Sequence, residues 1–405
     1  MIVTQCPACA APLPELTAKQ CSRCKTRYCG QTCQEYHWKE GGHDKLCRVI
    51  RKGGGAEQYH ADTKYAAAVT VAAEACAGDT KGQTCYICTQ AVHWKTKEGL
   101  VRMCACRGTA GFAHVSCLAE QAKILIEEVE ENNLDHKVMN ERWQRWSSCS
   151  LCKQQYHGVV MGALGWACWK TYVGRSETDN SRLGSMKVLG RSFRDSGRAE
   201  DELAVHQATL DTFKRYWQGD DEDQNALDVM SNMAGCYSRL GQHDKCVTMR
   251  REIYARRVAT LGFSHEESLN EAHCIALTLV NRPDRDSQTE AKVFLRDIMP
   301  RALEDLGPEH QTYLRFRWVY AYALHDDDAA ATLDDMIEAE ATYVAIERVY
   351  ARRFGPSHPE TRGLRGEISN LRENMEKVRD CATCEDPSCR WTQIARRSGI
   401  HPNAR

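Results

Sequence analysis

The chain has no surplus of charge. Among its 405 residues Lys plus Arg number 54 and Asp plus Glu 55, which removes the electrostatic reason to expect nucleic acid or an anionic membrane as partner. Long apolar runs are also missing. The longest uncharged apolar stretch, "GVVMGALGWACW" from Gly158 to Trp169, falls far short of the roughly 20 residues that a membrane helix needs. The opening "MIVTQCPACAAPLPEL" has neither a basic nor an apolar leader region, so a reducing compartment is expected, cytoplasm or nucleus. No G-x-x-x-x-G-K-[ST] loop, G-x-S-x-G elbow or H-E-x-x-H helix occurs, which excludes several enzyme classes. With 42% apolar residues, the length allows cores in roughly two to four domains.

Cysteine is what the sequence has in abundance. Of 22 cysteines, 14 fall into two tight groups before residue 153, and in a reducing compartment clustered C-x2-C pairs point to metal rather than disulfides. Cys168, Cys236, Cys246 and Cys274 stand singly in helical-looking sequence and are expected as small core residues.

The first group contains "CPAC" (Cys6, Cys9), "CSRCKTRYCGQTC" (Cys21, Cys24, Cys29, Cys33) and "HDKLC" (His43, Cys47). Zinc takes four thiolate or imidazole ligands in a closed structural site, so eight ligands make two sites. His37 is a spare imidazole, but the H-x3-C spacing from His43 to Cys47 is one helical turn and points both ligands the same way. The whole pattern over residues 6–47 resembles the MYND zinc finger. That resemblance implies interleaved zinc sites, Cys6, Cys9, Cys29 and Cys33 on one ion and Cys21, Cys24, His43 and Cys47 on the other. It also implies a surface for proline-containing peptides made by Gln34 and Trp38, with Ser22 as a third contact. Alternatively, Trp38 simply covers the metal core.

The second group runs "CYIC" (Cys85, Cys88), "CACRGTAGFAHVSC" (Cys104, Cys106, His114, Cys117) and "CSLC" (Cys149, Cys152). Spacing alone leaves open whether Cys104, Cys106, His114 and Cys117 share one ion. The order, with "CACRGT" and "HVSCL", resembles the RING-CH finger over residues 85–152. The family's cross-brace would put Cys85, Cys88, His114 and Cys117 on one zinc and Cys104, Cys106, Cys149 and Cys152 on the other, with Gly108 and Gly111 turning the chain between them. In that family Ile87 would contact a ubiquitin-conjugating enzyme, and Lys153 could hold ubiquitin. Gln121 departs from the pattern, standing where the family has tryptophan. Either Trp143 or Trp146 makes good that surface, or both are buried beside the zinc. Four zinc ions are expected in all, leaving the metallated chain mildly acidic. A lysine methyltransferase, which can also contain a MYND finger, is excluded because no "N-H-x-C-x-P-N" signature is present.

Residues 48–84 read as a linker whose alanine-rich helix is a spacer. The aromatics of 153–180 (Trp166, Trp169, Tyr172) should dock the second finger onto the helices beyond. From Ser181 to Val378 charged amphipathic helices recur, with Gly262, Gly307 and Gly355 as landmarks 45 and 48 residues apart. The turn "G-x-x-H-x-x-[ST]", with Pro308 and Pro356 opening the next helix, resembles tetratricopeptide repeats of the kinesin-light-chain kind. Such repeats stack into a solenoid that binds peptides on its concave side. Asn232 and Asn270 match the family's groove-lining asparagine, with Arg317 at the equivalent place, although a solvated polar surface is the alternative. Arg250, Arg251, Arg256 and Arg257 are expected to form a solvated face. In the tail, 379–405, Cys381, Cys384 and Cys389 would hold a metal only with a fourth ligand, the nearest being His401.

The expected architecture is mainly α: two small cross-brace zinc fingers followed by a tetratricopeptide-type helical solenoid. Two functions fit it, an adaptor that joins protein or peptide partners, or a ubiquitin ligase whose other modules recruit substrate.

Overall fold

The computed structural model describes residues 5–11, 13–14, 17–216, 220–282, 284–325, 331–381, 384, 386 and 388–400, without the side chains of 220–223 and 285. The chain forms two compact units, 1–240 and 241–405. Both are helical. Among the described residues the only sheet is a two-residue antiparallel hairpin, β1 (Lys19–Gln20) with β2 (Arg27–Tyr28), Lys19 opposite Tyr28.

The first unit begins with α1 (Gln31–Lys39) and α2 (His43–Lys52), which close the first cysteine group. Next comes α3 (Ala56–Thr80). Rather than a free spacer, it lies along α6 (Gly158–Tyr172). Its buried positions Ala56, Ala61, Val69, Ala72 and Cys76 are small, so the two backbones approach closely and alanine serves packing as well as helix propensity. Helix α6 buries residues on every side, among them Val160, Leu164, Trp166, Cys168, Trp169 and Tyr172, as a helix apolar all round must. No helix among the described residues is long and apolar enough to cross a membrane.

The second cysteine group docks on this helix pair. Helix α4 (Val115–Glu131) buries Val115, Leu118, Ala122, Ile126 and Val129 at spacings of three and four, the stripe of an amphipathic helix. After α5 (His136–Trp143), Trp143 and Trp146 both pack on Tyr172, with ring centroids 5.5 and 5.8 Å away. One apolar core runs from Val69 and Cys76 through Cys85, Phe112 and Cys149 to Leu164 and Tyr172. Helices α7 (Asn180–Asp195), α8 (Ala199–Tyr216) and α9 (Asp220–Arg239) follow, each packed against its predecessor from α6 onward. Arg182 on α7 also ion-pairs with Glu57 on α3 at 3.0 Å.

The second unit contains α10 (His243–Leu261), α11 (Glu266–Val280), α12 (Arg285–Leu306), α13 (Gln311–His325), α14 (Leu333–Phe354), α15 (Pro359–Asp380) and α16 (Arg390–Arg397). Consecutive helices pack in sequence over one core, giving the repeat-like stack. One turn recurs three times. Gly262, Gly307 and Gly355 all have φ near +90°, at +89, +84 and +90°, a conformation that glycine takes without strain. Three residues later His265, His310 and His358 each accept, through Nδ1, the N–H two residues on at 3.3 Å. These imidazoles cap the incoming helices. Pro308 and Pro356 therefore lie within the turns and do not open helices; the proline at a helix start is Pro359.

A second correction concerns the arginines of α10. Arg250 and Arg257, one face of the helix, are buried. Arg250 pairs with buried Glu271 at 2.7 Å, and Arg257 Nη1 donates to the Glu267 carbonyl at 3.3 Å. Only Arg251 and Arg256 are exposed. Cys168, Cys236 and Cys246 are fully buried and Cys274 partly so.

Candidate metal centres

Four turns build the sites, and they share one design. After each C-x2-C pair, residue i+4 donates its N–H to the carbonyl of the first cysteine: Ala10 to Cys6 (2.8 Å), Lys25 to Cys21 (3.0 Å), Thr89 to Cys85 (2.8 Å) and Lys153 to Cys149 (3.0 Å). The first cysteine in turn donates to the carbonyl of residue i+5, at 2.8 to 3.0 Å. These i+4 residues are left-handed, with φ of +58, +66, +62 and +62°, a strained conformation for a side-chain-bearing residue. The strain curls the backbone around the sulfurs.

The ligand atoms gather into four groups, within each of which all lie within 4.8 Å of one another: Cys6, Cys9, Cys29 and Cys33; Cys21, Cys24, His43 and Cys47; Cys85, Cys88, His114 and Cys117; and Cys104, Cys106, Cys149 and Cys152. Cys104 and Cys106 thus face the last pair, not His114 and Cys117. A tetrahedron with Zn–S near 2.3 Å and Zn–N near 2.0–2.1 Å has edges of about 3.5 to 3.8 Å. The observed edges are of that size: Cys9 to Cys29 and Cys29 to Cys33 at 3.5 Å, Cys21 to Cys47 at 3.8 Å, and Cys106 to Cys149 at 3.7 Å. His43 Nε2 lies 3.3 Å from the Cys24 sulfur, and His114 Nδ1 lies 3.3 and 3.6 Å from those of Cys88 and Cys117. Burial lowers the pKa of both imidazoles, favouring the neutral form that binds metal. His37 instead meets the Tyr28 hydroxyl at 3.1 Å through Nδ1.

Electrostatics fits the same ion. Burial raises the Cys6 thiol, but the backbone N–H groups of Cys29, Ala8 and Cys9 outweigh it and bring it down to about 6. In the same group Cys29 is pushed up to about 12 by Cys33 and Cys9. Packed thiols cannot all ionise together, and a divalent cation removes that conflict. Gly111 serves the fourth group: at φ +86° a Cβ there would lie 2.6 Å from the Cys106 Cβ, so only glycine lets the loop pass.

A fifth turn of this shape has no thiols, and so carries no mark in the sequence. Lys97 donates to the His93 carbonyl (2.9 Å), His93 to the Glu98 carbonyl (3.0 Å), and Lys97 has φ +60°. In place of metal, His93 Nδ1 accepts the Thr96 hydroxyl at 2.8 Å. Glu98 anchors the turn to α4 by accepting the Ser116 N–H at 2.7 Å. The turn presents Trp94, 68% exposed, which lines a cavity of about 870 Å³ with Tyr65, Ile87, Gln121, Ile124 and Leu125. Lys153 does not line it; it borders another cavity, of about 670 Å³, with Gln144, His157 and Arg191.

On the first finger, Ser22 is exposed and Gln34 partly buried. Trp38 is 40% exposed and sets its ring edge-on to His43, centroids 5.8 Å apart, so it covers the metal group and faces solvent at once. Asn232, on α9 of the first unit, accepts from Arg194 at 2.9 Å. Asn270 lies partly buried on α11 of the second unit, and Arg317 lies over the Tyr313 ring.

Glu202, His206 and Cys236 also gather closely. There Arg194 and Arg239 both ion-pair with the fully buried Glu202 carboxylate, so its charge is already matched and the group reads as a core ion pair rather than a cation site. Among the described residues, Cys381, Cys384 and Cys389 do not form such a metal-sized group; His401 lies outside the described residues.

The family model for the MYND finger matches residues 6–47. No curated protein matches the chain. Among solved structures, a putative kinesin light chain with nearly identical TPR-like repeats from Podosopora anserina is similar at 18% identity, with 60% of this chain and 98% of that one covered and a TM-score of 0.40. A second crystal structure of that protein, carrying a single substitution, gives 18% identity, 59% and 97% coverage, and the same TM-score.

Proposed function

We propose that the protein is a zinc-organised adaptor whose MYND finger and helical repeats hold protein or peptide partners, in the cytoplasm or nucleus. The observation that carries this reading is closure. Each of the four groups supplies four protein ligands, leaving no open position for water or substrate, which is the mark of structural rather than catalytic zinc. Four ions, one per group, hold the two fingers in cross-brace form, the second finger being of the RING-CH type.

Gln34 and Trp38, one turn apart on α1, are assigned to a proline-containing peptide. Ser22 on the neighbouring knuckle adds a polar contact, and Asn232 and Asn270 hold peptides on the repeats. Calorimetric titration of the zinc-loaded chain with a proline-rich peptide tests the first assignment. Trp38→Ala should weaken binding about tenfold or more, near 1.4 kcal/mol, with zinc content unchanged. Equal binding by the variant would rule out the finger as the peptide site.

A second reading is favoured by the exposed Trp94. It stands beside Ile87 and Ile124 on the cavity that also includes Gln121, and so offers the aromatic surface that Gln121 lacks and that the inward-packed Trp143 and Trp146 do not provide. On this reading the second finger docks a ubiquitin-loaded conjugating enzyme and catalyses by positioning. Single-turnover ubiquitin discharge across a panel of conjugating enzymes decides it. Acceleration lost in both Ile87→Ala and Trp94→Ala supports the ligase; no acceleration by the parent chain leaves the adaptor.

A further inference from the structure

The four groups differ in how far they are shielded from solvent. In the second, Cys21, Cys24, His43 and Cys47 are all buried, and in the third only Cys88 is partly exposed. The fourth has Cys104, Cys106 and Cys152 partly exposed around buried Cys149. Only the first contains an exposed ligand, Cys9, beside partly exposed Cys29 and Cys33, with Cys6 alone inside. Its sulfurs are also close together: that of Cys29 lies 3.5 Å from those of both Cys9 and Cys33.

The same group ties down the helix that carries the assigned peptide contacts. Helix α1 has no buried residue, so its own packing does little to fix it. Cys29 precedes it, Cys33 lies in its first turn, and Gln34 and Trp38 stand on it. Helix α2, by contrast, buries His43, Cys47 and Ile50, and the Cys24 carbonyl accepts the first N–H of α3 at 2.9 Å. One half of the finger is therefore open to solvent and tied through thiols, and the other is buried and joined to α3.

We propose that Cys6, Cys9, Cys29 and Cys33 form a peroxide-sensitive zinc switch in which Cys9 and Cys29 close to a disulfide, one zinc ion is released and α1 comes free. This rests on zinc occupying the group, as assigned above. Thiolate is both the metal-binding form of cysteine and the nucleophile. The Cys9 sulfur, the one open to solvent, attacks a peroxide oxygen; the S–O bond forms, the O–O bond breaks and hydroxide leaves, giving a sulfenic acid. The Cys29 sulfur then attacks that of Cys9, the S–S bond forms and the hydroxyl departs as hydroxide. Sulfur loses two electrons and peroxide gains them, so two thiolates, one hydrogen peroxide and two protons yield one disulfide and two waters. Cys6 and Cys33 remain as the only ligands, too few for a closed tetrahedral site. Thiol reductant and added zinc reverse the change.

The test treats the full zinc-loaded chain with one molar equivalent of hydrogen peroxide. A chromogenic indicator reads released zinc, and alkylation, tryptic cleavage and tandem mass spectrometry read the thiols. About one zinc ion per chain should be released, with the fragment 1–19 joined to 28–39 through Cys9 and Cys29. Cys6 and Cys33 should become open to alkylation while the ligands of residues 85–152 stay protected. Hydrogen exchange should quicken in α1 and stay slow in α2 and α3. Zinc kept with Cys9 reduced, or zinc lost first from any of the other three groups, would overturn the proposal. Zinc content before oxidation separates the two readings: a chain without zinc fails both, whereas one that holds all its zinc through peroxide treatment fails this proposal alone.

Discussion

His265, His310 and His358 put imidazoles where hydroxyl or carboxylate side chains usually cap helices. Each satisfies one N–H at the start of its helix. Replacing any one with alanine should cost the second unit about 1 kcal/mol in denaturant unfolding, and serine should restore most of it. Larger effects belong to α10. Glu271→Ala leaves Arg250 buried and unpaired, at a cost of about 3–5 kcal/mol. Glu252→Ala removes the exposed pair with Arg256 (3.1 Å, both half-exposed) and should change stability by less than about 0.5 kcal/mol. Comparing the two unfolding midpoints measures the difference. The sequence contains the clue to this asymmetry, since positions 250 and 257 are seven apart and share a face. Residue type alone pointed the other way, because arginine is rarely buried unless paired, and the partner Glu271 stands on another helix.

Among the elements, the turns that gather the candidate metal ligands were the most legible. Ligand type and spacing are set by coordination chemistry, so the pairs could be found without a fold. Legible only through structure were the turn at His93, which keeps the backbone of the other four without their thiols, and the role of α3, whose small buried residues carry little hydrophobic signal. Gly111 and Gly108 separate two effects within one loop. Gly111→Ala drives a Cβ into Cys106 and should lower zinc content by one ion per chain, from the Cys104 group. Gly108→Ala, at φ +60° with nothing within 4 Å, meets strain alone and should retain full zinc. Metal analysis of both variants, with circular dichroism to confirm folding, checks the contrast.

For the whole molecule, the four candidate metal groups lie in the first unit, and those of the second cysteine group share its apolar core. Cys85, Cys117 and Cys149 belong to the same apolar core as α3, α4 and α6, whereas residues 241–405 contain none of the four groups. A structural zinc supplies on the order of 10 kcal/mol of folding free energy, more than the marginal stability of a small domain. Chelation should therefore unfold the first unit and spare the second. Hydrogen exchange would show protection lost from α3, α4 and α6 but kept in α11, α13 and α14. The repeats were readable as a series of helices because their turns recur, while the division near residue 240 arises from packing that no local pattern encodes. Zinc-organised fingers stand or fall on the metal content of the purified chain, measured by plasma mass spectrometry and native mass together. Four ions per chain is the predicted result, one for each closed group; two ions, with the thiols of residues 85–152 free to alkylation, would contradict it.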